Sequence, residues 1–306
     1  MARGKQPKEH RAPSEPGRLT LDERLPLRLG LGAAFAGVVG YARAMVDAAA
    51  DDPVDAVHEY RKALRRARAV VRLARPVLGG ESFRALVHDL RDALRGTSPL
   101  RDAAVLLKTL AGLPDDPASR PARHALARLL QAESEAGVAA APQKELRRSL
   151  QILSPIPERL LACLPEKVRW RELRAGLERS YRRTRRARER AFRTREDTEV
   201  HAFRKSVKEL RYQVELLQAA GGEKPGKARR KLAGLAEALG EVTDLTLLRR
   251  TAHLRLQELA GTRPEALFAV LDEAIEARLE ALEKSSRPLF ERSCRDFAER
   301  ATRSFH

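Results

Sequence analysis

Two stretches of this chain place a histidine at the head of a run of cations: VHEYRKALRRAR over residues 57–68 and VHAFRKSVKELR over residues 200–211. On a helix advancing ~100° per residue, His58, Arg61, Arg65, Arg68 and Arg72 fall on one continuous stripe with Lys62 beside it. In the second stretch His201, Arg204, Lys208 and Arg211 form the stripe, flanked by Lys205 and Tyr212, until Glu215 ends it. Cations at intervals of about 5 Å suit an extended row of phosphates. Arginine grips phosphate oxygens bidentately, and lysine adds a mobile point charge. A solvated helix face mixes signs, because like charges four residues apart repel by a few tenths of a kcal/mol. One such stripe alone reads as a merely basic surface. Two, each led by histidine at the matched position, read as function.

The elements that must position these stripes are helices. Val57, Tyr60, Leu64, Ala67 and Val71 form an apolar seam beside the first stripe; Val200, Phe203, Val207, Leu210, Val214 and Leu217 do so beside the second. The chain is rich in Ala, Leu, Arg and Glu and poor in aromatic and β-branched residues. Asp52-Pro53, Ser98-Pro99 and Asp116-Pro117 each set a capping residue before proline, a helix-start signal. The pattern predicts helices at about 22–49, 53–75, 81–95, 99–111, 117–137 and 142–152. A second set is predicted at 165–193, 197–219, 225–239, 242–260, 264–284 and 287–303. SPIPERLLACLP, with three prolines, is the expected junction at about 154–164, between a first half of about 21–153 and a second of about 165–303. Residues 1–20, polar and basic, read as a disordered arm. The expected fold class is all-α, two related antiparallel helical bundles.

Net charge is +18, with 60 Lys+Arg against 42 Asp+Glu. The expected partners are therefore polyanions: nucleic acid, an acidic membrane surface or a phosphate polymer. Cys163 and Cys294 have no CxxC spacing, and the seven histidines form no HExxH cluster, so no disulfide framework, metal or cofactor is expected. Leu29–Val39 resembles an export-signal core, but the long acid- and proline-bearing region before it suits a core helix better, and a cytoplasmic location is expected. GGEKPGK at 221–227 fits the G-x-x-x-x-G-K frame, yet Ala228 lacks the Mg²⁺-holding hydroxyl and a helix stands where a strand should precede it. Asp102 and Asp244 occupy equivalent places and read as helix caps or partners that orient the stripes.

The repeated string V-H-x-x-R-[KV]-x-x-[KR]-x-x-R, with LGEVTD at 239–244 and a looser PLRDAAVLL at 99–107, resembles the CHAD family of conserved-histidine α-helical domains. The resemblance spans roughly residues 20–303. It implies two bundles related by a pseudo-twofold axis around a central basic cavity, and binding of inorganic polyphosphate there, at polyphosphate granules in bacteria. Carried over by position, the contacts are His58, Arg61, Lys62, Arg65 and Arg68 with His201, Arg204, Lys205, Lys208 and Arg211; Arg72 and Arg101 join them from stripe phase and the second motif. This copy departs from the pattern at Glu209 and at Arg95-Gly96. Some relatives are fused to a CYTH triphosphatase marked by ExExK; ESEAG at 133–137 lacks that lysine, so no triphosphatase activity is implied.

Three functions compete. A nucleic-acid binder is supported by charge alone, and aromatics at 4% leave little for base stacking. A polyphosphate-processing enzyme would need a group to activate water or a leaving group, and the sequence offers no such constellation. A non-catalytic polyphosphate-binding module is the expected function.

Overall fold

The computed structural model of this chain describes residues 19–302 apart from 20, 23, 96, 98–101, 139–141 and 221–225. Arg101, the Ser98-Pro99 helix start, most of GGEKPGK and nearly all of the N-terminal arm lie outside the described residues. Leu19, the one described residue of that arm, is buried. Twelve helices are present among the described residues, and no strand: α1 (Leu27–Ala48), α2 (Pro53–Leu73), α3 (Gly80–Arg95), α4 (Asp102–Ala111), α5 (Arg120–Val138), α6 (Gln143–Leu153), α7 (Ile156–Cys163), α8 (Trp170–Thr194), α9 (Asp197–Ala220), α10 (Lys227–Leu254), α11 (Pro264–Phe290) and α12 (Cys294–Ala301). The all-α expectation holds.

Several boundaries differ from the periodicity, each for a local reason. Asp52 caps α2 as expected, accepting from the Asp55 N–H at 3.0 Å with Pro53 in the first turn. Asp116 instead closes a turn, accepting from the Ser119 N–H at 2.8 Å, and α5 starts only at Arg120. The proline-rich junction contains α7, whose Ile156 and Leu160 are buried and which packs on α1. Arg28 ties it down by donating to the Leu161 carbonyl at 3.0 Å. The two helices expected at 225–239 and 242–260 are one, α10, running unbroken through Gly240.

α1 packs on α2, and α8 on α9. Each ladder helix is thus backed by the helix before it. The two ladder helices, α2 and α9, also pack on each other, and α10 bridges the halves by touching α9, α11 and α4. Gly176 permits one close crossing: a Cβ there would lie 2.0 Å from the Leu73 carbonyl oxygen at the end of α2. α1 is long and apolar enough by length and composition to cross a membrane; half of its apolar window is buried here, including Leu31, Phe35, Val38 and Val39.

Candidate functional site

The seams drawn from periodicity are the buried ones. Val57, Tyr60, Leu64, Ala67 and Val71 on α2, and Val200, Phe203, Val207, Leu210, Val214 and Leu217 on α9, are all at most 3% exposed. With those faces committed to the core, the neighbouring stripes are forced outward, and α2 meeting α9 turns them towards each other. Between them lies a cavity of about 540 Å³, lined from α2 by Arg61, Arg65, Arg68 and Arg72 and from α9 by His201, Arg204, Lys205, Lys208, Glu209 and Tyr212. A second cavity of about 450 Å³ shares Arg61, Arg65, His201 and Arg204 with the first, so the two adjoin.

Three positions read from the stripes do not line either cavity. Lys62 Nζ donates to Glu59 Oε1 at 3.0 Å, and the Tyr41 hydroxyl donates to the same carboxylate at 2.9 Å. Burial works against charge on Glu59, but the Lys62 and Tyr41 hydrogen bonds outweigh it and hold the carboxyl below its ordinary range. His58 lies beside the same acid, Nε2 to Oε1 3.7 Å. Arg211 stands 5.9 Å from the Tyr212 ring centre, and the buried Arg66 stands 5.7 Å from it. Arg101 is outside the described residues.

Other residues of the lining escaped the sequence reading. Arg91 and Arg95, four apart on α3, face the first cavity, and Arg250 with Thr198, Thr243 and Thr246 faces the second. The i, i+4 spacing of Arg91 and Arg95 was the available signal. Asp244 also lines the second cavity from mid-α10, so it caps no helix. Gly240, the expected break, is where α10 admits a neighbour: a Cβ there would sit 3.4 Å from Arg204 Nη2.

The electrostatics record the crowding. The His201 imidazole is pushed down to about 4, first by burial and then by Lys205, Arg204, Arg65 and Lys208. Arg65 belongs to the opposite ladder. Lys205 is likewise lowered by burial, then by Arg68, Arg91 and Arg65, cations from two other helices. Glu209, 5% exposed, is the acid of the first cavity; Arg72 Nε stands 3.2 Å from it, and Arg183 of α8 donates to it from behind. Such a site disfavours any further cation and strongly favours an anion carrying several charges.

The CHAD domain family model matches residues 31–253, a span that takes in both ladders, α3 and all but the last residue of α10. The crystal structure of the CHAD domain from the plant Ricinus communis is similar with a TM-score of 0.59 and 20% identity, over 97% of this chain and 98% of that one. A comparison with curated proteins finds no match. The matched span exceeds half of the sequence and contains every helix that lines the cavities, so this chain belongs to the CHAD domain family.

Proposed function

We propose that the protein binds inorganic polyphosphate along the two adjoining cavities and does so without chemistry on the chain. The observation that carries this reading is the convergence of Arg65, Arg68, Arg91, Arg204, Lys205 and Lys208 on one cavity from three helices. Each ladder offers cations at about the 5 Å interval of one helical turn, and a slim polymer can touch both at once. Tyr212 is the aromatic residue of the lining, and its ring is buried and flanked by Arg66 and Arg211, which leaves no platform for stacking bases. The family association with polyphosphate supports the same ligand, and a cytoplasmic place at polyphosphate granules would follow from it.

The test is calorimetry on the wild type, Arg65→Glu and Lys208→Glu, with RNA and DNA oligomers as competitors at matched phosphate concentration and salt. One shared site should be nearly abolished by either reversal. Polyphosphate should displace RNA, and RNA should fail to displace polyphosphate. Two equal sites, one surviving in each variant, would exclude a shared cavity; equal mutual displacement would favour a nonspecific nucleic-acid binder. Incubation with long-chain polyphosphate should release no orthophosphate, and chain shortening would reveal an enzyme.

A further inference from the structure

A third row of cations lies outside the cavities. α8 carries RRTRRARER over residues 182–190, and before its last residue, Thr194, its solvent-exposed positions are 171, 175, 179, 182, 186, 189 and 193, the spacing of one helical face. Five of these seven are arginine. Arg179, Arg182 and Arg186 make no ion pair among the described residues, although Arg185, Arg188 and Arg190 on the same helix all find partners. Glu189, the acid of this face, is 3.8 Å from Arg185. A solvated face interleaves signs. The neighbouring α11 exposes Glu265, Asp272, Glu273, Glu276 and Glu280 against Lys284 and Arg287, so its outer face is net negative where that of α8 is net positive, and a polyanion is steered to α8.

Arg183 connects this face to the cavity. It lies one turn after Arg179 and about one turn before Arg186, and its guanidinium pairs with Glu209, the lining carboxylate that also stands by Arg72. Arg65, Arg68 and Arg72 follow one another by helical turns inside the cavity, Glu209 links Arg72 to Arg183, and Arg179 and Arg186 lie a turn either side of Arg183 on the way out. We infer that the outer face of α8 carries the part of a long polyphosphate chain that leaves the cavity at Arg72 and Glu209. The inference rests on the polyphosphate reading above and adds a second, external stretch of binding surface to it. Between Arg179 and Arg193 that stretch is about 21 Å long, at 1.5 Å per residue. A short oligophosphate held inside the cavity would never touch it.

The experiment compares tripolyphosphate with long-chain polyphosphate on the wild type and on Arg179→Glu/Arg182→Glu/Arg186→Glu. Long-chain affinity should fall about tenfold, at roughly twofold for each exposed charge contact. The salt dependence of long-chain binding should become shallower by about 2, at ~0.7 per phosphate contact on a single strand. Tripolyphosphate affinity should stay unchanged, which also shows that the variant is folded. Unchanged long-chain affinity, or an equal fall for both ligands, overturns the external track while leaving the cavity in place. A loss confined to RNA binding overturns it as well. A wild type that binds neither phosphate ligand removes the cavity reading, and the track with it.

Discussion

Arg66 and Glu215 face each other at 3.9 Å across the α2–α9 interface, with side chains 1% and 3% exposed. Each sits beside its ladder, Arg66 next to Arg65 and Glu215 one turn beyond Arg211. Gln213 Nε2 donates to the Ala69 carbonyl at 3.1 Å in the same interface. A buried charge is tolerated only where its partner is in place. The pair therefore favours one register of α2 against α9, and with it one spacing of the two ladders.

Removing one partner should be costly. Glu215→Gln is expected to lower unfolding free energy by about 3–5 kcal/mol, and Arg66→Met/Glu215→Leu to recover most of that loss. Urea unfolding of the three proteins checks both halves of the statement. A single variant as stable as the wild type would mean that the pair does not hold the interface.

Glu209 opposes the ligand that the cavity is built for. Burial lowers the Arg72 guanidinium, and Glu209 counters that effect most strongly. Glu209→Gln removes a negative charge from the lining, which should raise polyphosphate affinity at least roughly fivefold, the ~1 kcal/mol of two unit charges about 4 Å apart at the dielectric of water. The same change strips Arg72 and Arg183 of their shared partner, so thermal stability should fall. Titration calorimetry and a melting curve on one preparation read both signs.

His201 supplies a pH dependence. In the folded, ligand-free protein its imidazole is held at about 4, against ~6.5 when unfolded. Between those values the unfolded state binds more protons, so this contribution to stability is complete above ~6.5 and is lost as pH falls to about 4. A bound phosphate chain reverses the local sign despite Asp197 and Asp244 in the adjoining cavity, and raises the imidazole's pKa. Binding then takes up protons, and affinity grows as pH drops from the bound towards the free value. Calorimetry in buffers of different ionisation heat should show uptake that His201→Gln removes and His58→Gln, beside Glu59 outside the lining, leaves in place. Equal uptake in all three proteins would assign the protons elsewhere.

Two helical glycines should respond in opposite directions. Gly176→Ala drives a Cβ into the Leu73 backbone and should destabilise by at least about 1–3 kcal/mol. Gly234→Ala meets nothing within 4 Å at an exposed position of α10 and should stabilise by about 0.8–1 kcal/mol. Denaturation midpoints distinguish them, and a neutral Gly176→Ala would show that α2 and α8 can part without cost.

The helices and both ladders were legible in the sequence because periodicity is a local property. Val57 to Val71 and Val200 to Leu217 announce one buried face each, and a helix with a fixed buried face has a fixed outer one. Gly240 misled because a glycine reads as a break until its neighbour is known, and here that neighbour is the Arg204 guanidinium resting on the helix backbone. Which cations share one cavity was decided only by packing. Lys62 flanks the stripe that carries Arg68, and only packing shows that Tyr41 and Glu59 hold Lys62 out of the site while Arg68 lines the cavity against α9. Arg91, Arg95 and Arg250 reach the site from helices distant in sequence, and no pattern along the chain states that α3 and α10 will close around α2 and α9. Charge and face are written residue by residue. Convergence is a property of contacts between remote segments, and it exists only once the core has formed.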